Sequence, residues 1–180
     1  MSKKVLVLSA SPRKGGNSDL LCDEFVRGAS ESGNAAEKIR VCENRIAPCL
    51  GCYYCRDHSG ECVHKDDMAA ILQKMIDAEV IVLASPVYFY SVNAQLKSLI
   101  DRTVARWLEV HDKEFYYIVT MEDDNPAAGK TAVNCMRGYA DCVEGAVEKG
   151  VLIAANVYEA GKVKGTDYPR QAYEMGKSIS

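Results

Sequence analysis

Apolar runs that alternate with amphipathic segments restrict the fold of this chain more than any other feature. Residues 80–84 are all apolar, a pattern typical of a strand that is covered on both faces in a parallel sheet. With the less regular runs elsewhere, the predicted strands are 5–8, 37–42, 80–84, 115–120 and 151–157. Five strands that alternate with helices predict an α/β fold with a doubly wound, five-stranded parallel sheet.

Apolar residues at helical spacing predict helices between these strands. The predicted helices are 20–29, 66–78, 96–107, 130–148 and a last one that starts near Pro169. Val104 and Trp107 should lie on the inner side of the third helix. Gly138 and Gly145 weaken the fourth, because glycine is a poor helix former.

A polar segment, residues 9–18, follows the first predicted strand. It carries three hydroxyls, one amide and two cations, and the unpaired N–H groups at a helix start attract anions. Ligands of open α/β sheets bind at the carboxyl ends of strands, so the segment predicts a phosphate site and favours the strand order 2-1-3-4-5. The segment lacks the glycine spacing of dinucleotide-binding folds and of nucleotide triphosphatases. The phosphate of a mononucleotide is therefore the favoured ligand. The alternative is that Pro12, Gly15 and Gly16 only turn the chain before a helix cap.

A second loop, residues 85–93, follows the apolar run 80–84 and contains Tyr88, Phe89 and Tyr90 in succession. Aromatic side chains at the carboxyl end of a strand can line a flat ring, and their position favours a ligand. The alternative is that the three aromatic residues pack into the core or a subunit interface, as aromatic clusters commonly do.

A cysteine-rich loop, residues 44–64, has the spacing C-x2-C-x2-C-x6-C at Cys49, Cys52, Cys55 and Cys62. Thiolates at this spacing can converge on one [4Fe–4S] cluster. Zinc is the second reading, with His58 and His64 as substitute ligands, and a redox-active or structural loop without metal is the third. The remaining cysteines are expected to be small buried hydrophobic residues; they are Cys22, Cys42, Cys135 and Cys142.

The composition is that of an ordinary globular protein, with 180 residues, 48% of them apolar, and a net charge of −3. This length predicts one domain, 1–180, and the charge predicts no nucleic-acid or membrane partner. No run approaches the ~20 apolar residues of a membrane span, and the first apolar run is too short for a signal peptide. We therefore expect a cytoplasmic protein, in which a disulfide framework is not expected.

Three segments together resemble a known family. They are residues 11–18, the four-cysteine segment up to residue 68, and residues 85–89 followed by 94–97. This combination resembles the flavodoxin-like NAD(P)H-dependent FMN reductases, specifically their iron–sulfur flavoprotein branch. The resemblance spans nearly the whole chain. It implies a flavodoxin-like fold, FMN as the cofactor, and a homodimer or homotetramer in which the cluster of one subunit approaches the flavin of another.

The resemblance also implies a set of cofactor-binding residues. Those around the FMN phosphate would be Ser9, Ser11, Arg13, Asn17 and Ser18. Those that border the isoalloxazine ring would be Pro86, Val87, Tyr88, Phe89 and Asn93. The loop that closes the flavin site would be Thr120, Met121 and Glu122.

These features predict an FMN-dependent oxidoreductase or electron-transfer flavoprotein that receives electrons from ferredoxin or NAD(P)H. The cofactor carries the chemistry, so no side chain is expected to act as a catalytic acid or base. Two alternatives stay open. One is an NAD(P)H-dependent FMN reductase without a cluster, and the other is a non-enzymatic metal or thiol redox sensor on the same fold.

Overall fold

A parallel sheet forms the centre of the molecule in the computed structural model, which describes residues 2–180. In this range the strands are β1 (Lys4–Ser9), β2 (Ala35–Arg40), β3 (Val80–Tyr88), β4 (Ser91–Val92), β5 (Glu114–Thr120) and β6 (Val147–Ala154). The α-helices are α1 (Asn17–Glu31), α2 (Tyr54–Asp57), α3 (Met68–Asp77), α4 (Ala94–Arg102), α5 (Lys130–Ala140) and α6 (Tyr168–Lys177). Among the described residues, no helix is both long and apolar enough to cross a lipid bilayer.

The parallel strands lie in the order β2-β1-β3-β5-β6. When these five strands are counted along the chain, this order is 2-1-3-4-5, and the prediction is confirmed. The small strand β4 was not predicted; it pairs antiparallel with the end of β3 through Val87↔Val92 and Tyr88↔Ser91. The two residues of the connecting turn, Phe89 and Tyr90, both have positive φ angles of 49° and 63°.

Alternate residues of the strands fill two apolar layers, one on each face of the sheet. In β1, Leu6 and Leu8 face the layer that contains α3, α4 and α5. Val5 and Val7 face the layer that contains α1 and α6. Full burial of each large apolar side chain stabilises the fold by about 1.5–3 kcal/mol, so the covered sheet is a rigid base for the loops at its edge.

Helices α1 and α6 approach closely because each has a glycine at the contact. A Cβ atom on Gly28 would lie 2.1 Å from the carbonyl oxygen of Tyr173, and one on Gly176 would lie 2.1 Å from the carbonyl oxygen of Phe25. These distances leave no room for a methyl group. The close contact holds the C-terminal helix against the first helix.

Two helices end five or more residues before the predicted end. The helix predicted over 96–107 ends at Arg102, where the Thr103 hydroxyl donates to the carbonyl oxygen of Ile100 at 2.7 Å and competes with further helical hydrogen bonding. Val104 and Trp107 therefore lie outside the helix, and Trp107 is 40% exposed.

The helix predicted over 130–148 ends at Ala140, and the last parallel strand starts at Val147 rather than at 151. The intervening turn needs Gly145, whose φ is 69° and whose Cβ would lie 2.2 Å from Asp112 Oδ1. The glycine thus ends the connection between helix and strand instead of lying within the helix.

Candidate functional site

A cavity of about 260 Å³ lies where the loops after β1, β3, β5 and β6 meet. This is the edge at which open α/β sheets bind ligands. Most of the residues proposed from the sequence line it, namely Ser11, Arg13, Asn17, Ser18, Pro86, Val87, Tyr88, Phe89, Thr120, Met121 and Glu122. Ser9 and Asn93 do not line it. The sequence reading missed Gly16, Val157 and Tyr158, which do.

The N-terminus of α1 opens into this cavity. Gly16 is the N-cap residue, and no side chain accepts a hydrogen bond from the first N–H groups of the helix. Its position suits only glycine, because a Cβ there would lie 2.9 Å from both the Cβ and the carbonyl oxygen of Arg13. The main-chain donors at this helix start, with the Ser11 hydroxyl beside them, form an environment that suits a phosphate.

A buried carboxylate supports the loop from behind. Asp19 accepts hydrogen bonds from the Gly15 N–H at 2.9 Å, the Lys38 ammonium at 2.8 Å and the Ser9 hydroxyl at 3.3 Å. Burial alone would raise the pKa of Asp19, but Lys38, Gly15 and the charge of Arg40 lower it on balance. Ser9 therefore lies behind the loop, where it helps to fix the loop rather than to line the cavity.

The amide of Asn17 connects the loop to the C-terminal part of the chain. Its Nδ2 donates to the carbonyl oxygens of Val157 at 3.2 Å and Glu159 at 2.9 Å, and its Oδ1 accepts from the Val163 N–H at 3.1 Å. The side chain has then used both of its donor hydrogens. What Asn17 offers to the cavity is its main-chain N–H.

Hydroxyl and cationic groups lie on the remaining polar side of the cavity. Ser18 Oγ and Thr120 Oγ1 are 2.7 Å apart, so one hydroxyl hydrogen of this pair stays available to a ligand. Arg13 Nη1 donates to the carbonyl oxygen of Tyr158 at 3.2 Å, and the guanidinium lies over the Tyr158 ring at 5.7 Å from its centroid. These contacts hold Arg13 at the mouth of the cavity.

The aromatic loop lies at the surface rather than in the core. Tyr88 and Phe89 line the cavity, and Phe89 is 100% exposed. Phe89 and Tyr90 adopt left-handed backbone conformations that are costly for residues other than glycine. The hairpin of β3 and β4 therefore displays its aromatic residues to solvent beside the cavity.

The four clustered cysteines line a second, mostly apolar cavity of about 250 Å³. Cys49 and Cys52 are exposed, and Cys55 and Cys62 are half-buried, all as free thiols. Within residues 2–180, no three potential metal ligands are grouped closely enough to hold a metal ion. The cavity nevertheless collects the complete set of thiols that the spacing singled out.

Neither histidine of the zinc reading is free of contacts. The His58 ring stacks on Tyr54 at 3.7 Å between centroids, and its Nδ1 lies 2.8 Å from the Tyr54 carbonyl oxygen. His64 lines the cysteine cavity, with its Nε2 3.2 Å from the Pro48 carbonyl oxygen. His58 is thus used in packing the short helix α2.

A buried ion pair fixes both ends of the cysteine-rich loop. Arg102 Nη1 lies 2.7 Å from Asp66 Oδ2 and Nη2 lies 2.9 Å from Oδ1, while Nη1 also donates to the Ala47 carbonyl oxygen at 2.8 Å. Asp66 in turn accepts from the Ala47 N–H at 2.9 Å. The hydrogen bonds from Arg102 lower the pKa of Asp66 to about 2. The ion pair of Arg102 and Asp66, with its hydrogen bonds to Ala47, therefore acts as a clamp that holds the two ends of the loop together.

The other cysteines differ in their surroundings. Cys22 is fully buried in α1, and burial raises the pKa of its thiol to about 12. Cys42 and Cys135 are half-buried, and Cys142 is exposed. The prediction that all four are buried is therefore confirmed for Cys22, holds only in part for Cys42 and Cys135, and is wrong for Cys142, because α5 ends at Ala140 and leaves residue 142 in the surface turn.

The sheet and the polar cavity at its carboxyl edge define a flavodoxin-like α/β protein. Residues 3–144 match the NADPH-dependent FMN reductase family. The match covers most of the chain, so the chain belongs to this family, which confirms the resemblance found in the sequence.

Curated relatives agree with that assignment, and a solved structure shares the fold. An iron-sulfur flavoprotein of Methanocaldococcus jannaschii is 44% identical over 100 residues, which cover 56% of this chain and 51% of the relative. An iron-sulfur flavoprotein of Methanosarcina thermophila is 40% identical over 101 residues, 56% of this chain and 52% of the relative. The chain thus spans about half the length of these curated relatives. The NAD(P)H:quinone oxidoreductase of Methanothermobacter marburgensis shares the fold, with a TM-score of 0.74, 17% identity and 100% coverage of both chains.

Proposed function

We propose that this protein is an FMN-dependent oxidoreductase whose flavin occupies the cavity at the carboxyl edge of the sheet. The observation that supports this most is the open N-terminus of α1, where main-chain donors and the Ser11 hydroxyl face the cavity. The phosphate of FMN would bind there. The ring system would lie along residues 86–89, and residues 120–122 would close the opposite side.

The chain's own residues would bind and orient the flavin rather than transfer protons. Bound FMN supplies hydride and single-electron transfer. The lining has apolar and aromatic groups on the side of β3 and hydroxyls on the side of α1, which suits a ligand with a flat ring at one end and a charged group at the other. Membership in the FMN reductase family supports the same assignment.

We propose further that Cys49, Cys52, Cys55 and Cys62 ligate a [4Fe–4S] cluster. Four thiols on one apolar cavity are the ligand set that such a cluster requires. A buried cation beside them, Arg102, suits the negative charge of four thiolates. The two relatives described above, both named iron-sulfur flavoproteins, support the assignment. A cluster supplies one-electron transfer, and the thiols would have to close in on it when it binds.

The ungrouped thiols favour one specific alternative, an FMN reductase that works without a cluster. The two forms would differ in their electron donors. With a cluster, a one-electron donor such as ferredoxin should reduce the flavin faster than NADH or NADPH at matched concentration. Without one, NAD(P)H should be the better donor, and it would have to reach the open side of the flavin.

The exposed aromatic residues support a homodimer or homotetramer. Phe89 and Tyr90 at the hairpin, and Leu108 in a surface depression that also contains Cys55, are large side chains exposed to solvent. Subunit interfaces are enriched in such residues. We propose that some of these residues are covered when copies of the chain associate.

Anaerobic purification tests the cluster and the flavin together. The protein is reconstituted with iron, sulfide and FMN, and iron, acid-labile sulfide and flavin are then assayed. We expect one FMN and one [4Fe–4S] cluster per chain, and loss of the cluster alone in Cys55→Ser. Cys135→Ser is the matched control and should load normally. Zinc, or no metal at the four thiols, would contradict the cluster, and absence of bound flavin would contradict the oxidoreductase.

A further inference from the structure

Arg102 is a buried cation that lines the cysteine cavity. One N–H group of its guanidinium makes no hydrogen bond to the described residues. The side chain is only 2% exposed and lines the same cavity as Cys49, Cys52, Cys55 and Cys62. Its two terminal nitrogens bind Asp66 and Ala47. Its Nε, in contrast, has no hydrogen-bond partner within residues 2–180.

An unpaired buried N–H group is costly, and native structures rarely leave one without a partner. The clamp with Asp66 fixes the guanidinium, so the Nε–H cannot turn away to find water. Cys62 and Arg102 line the cysteine cavity together, and both also line a neighbouring cavity that contains Lys65 and Asp66. The sulfur of Cys62 is therefore an acceptor that the shared cavity lining offers to this donor.

We infer that Arg102 is a positioning and charge-compensating residue for the cysteine site, which donates its Nε–H to the sulfur of a cluster or of its Cys62 ligand and so raises the reduction potential. The inference rests on the cluster proposed above. When the oxidised cluster accepts one electron from dithionite, the charge of cluster plus four thiolates becomes more negative by one. A fixed cation and a donated hydrogen bond stabilise the reduced state more than the oxidised state.

Because Asp66 is paired with Arg102, replacing each residue should shift the reduction potential of the cluster in opposite directions. A purely structural role would not predict opposite shifts. Asp66 partly neutralises Arg102 across the bidentate ion pair. Its replacement by Asn should leave more of the positive charge of Arg102 directed at the cluster. Loss of Arg102 should therefore lower the potential, whereas loss of the Asp66 charge should raise it.

The test is a potentiometric titration of the cluster-loaded protein with dithionite, followed by electron paramagnetic resonance of the reduced cluster. In Arg102→Gln we expect the equilibrium constant for one-electron reduction to fall at least tenfold, which equals about 59 mV. Arg102→Lys keeps the charge but lacks the Nε–H, and should show a smaller decrease. Asp66→Asn should show an increase.

Lys65→Gln is the matched control for loss of one positive charge. Lys65 is close to Cys62 in sequence, but its side chain is exposed and paired with Glu61. Because solvent screens this charge, the equilibrium constant for one-electron reduction should change less than threefold. A shift in Lys65→Gln as large as that in Arg102→Gln would overturn the inference. A decrease in Asp66→Asn would also overturn it, since both members of the clamp would then act only through the loop.

Variants that fail to bind a cluster are also decisive. If Arg102→Gln takes up no cluster, the inference requires that Arg102→Lys and Asp66→Asn still do, and failure of both would assign Arg102 a structural role only. If the wild-type protein itself takes up no cluster, the proposed cluster and this inference fall together. If the wild-type protein binds a cluster but the variants show no shift in reduction potential, the inference about Arg102 is overturned and the proposed cluster is not.

Discussion

The side-chain amide of Asn93 donates to the carbonyl oxygen of Ala10 across 2.6 Å, which joins the junction between β4 and α4 to the loop after β1. The Oδ1 of the same residue caps α4 by accepting from the Leu96 N–H at 3.2 Å. Asn93 is buried and does not touch the cavity, yet it fixes the distance between the phosphate side and the ring side of the site.

Replacement of Asn93 by Ala should therefore weaken flavin binding without removal of any contact with the flavin. The variant loses a helix cap and a buried hydrogen bond, which should lower the free energy of unfolding by about 1–3 kcal/mol. FMN affinity should fall as the two loops separate. Asn134→Ala, at an exposed position of α5, is the control for the same change. Urea unfolding and FMN titration measure both effects, and unchanged stability in Asn93→Ala would contradict the cap.

The contact between α1 and α6 predicts opposite effects of Ala at two helical glycines. In Gly28→Ala the new methyl group would collide with the backbone of Tyr173 at 2.1 Å, and the helices must separate at a cost of at least about 2 kcal/mol. In Gly138→Ala the methyl group meets nothing within 4 Å. Helix propensity should then stabilise the protein by about 0.5–1 kcal/mol. Thermal unfolding separates the two, and similar shifts in both would refute the close contact.

The clamp at the cysteine-rich loop should make the protein sensitive to acid. The pKa of Asp66 is lowered from 3.8 to about 2 by Arg102, so its contribution to stability is present above pH 4 and is lost as the pH falls toward 2. The shift corresponds to about 2 kcal/mol. In Asp66→Asn this part of the pH dependence should be absent. Unfolding free energies of both proteins at pH 6, 4 and 2.5 test this, and a constant difference between the two curves would contradict it.

The cysteines should differ strongly in their reaction with iodoacetamide at pH 8. Burial raises the pKa of Cys22 to about 12 and excludes reagent, so this thiol should stay unmodified in the folded protein. Cys142, which is exposed, should react within the same period. Peptide mass spectrometry after timed alkylation measures both sites, and denatured protein is the control in which both should react. Equal modification of Cys22 and Cys142 in the folded protein would show that α1 opens readily.

The order of the parallel strands could be predicted because it depends on a regular signal. Runs such as 80–84 are apolar on both faces, and the order follows once a binding loop is assigned to β1. The strand β4 could not be predicted, since its turn is formed by Phe89 and Tyr90 with positive φ angles. Sequence patterns reserve such conformations for glycine or asparagine.

The site was predictable to the level of its loops, but not to the level of each polar contact. The rule that ligands bind at the carboxyl edge selected the loops after β1 and β3, and the family resemblance added the loop after β5. The last strand was predicted to extend to residue 157, but it ends at Ala154. With the correct end, the same rule would have placed Val157 and Tyr158 in a binding loop. That Asn17 binds the C-terminal segment depends on residues distant in sequence, which no local pattern reveals. That Ser9 binds the carboxylate of Asp19 depends on how the loop folds back onto the helix.

A comparison of FMN with riboflavin tests the phosphate site at the N-terminus of α1 most directly. The two ligands differ only in the phosphate, so fluorescence titration should show much tighter binding of FMN to the wild-type protein. Ser11→Ala and Ser18→Ala should each weaken FMN binding about tenfold, as expected for loss of a hydrogen bond to a charged group. Both should leave riboflavin binding nearly unchanged. Riboflavin that binds as tightly as FMN, or variants that weaken both ligands equally, would contradict a phosphate site at the start of α1.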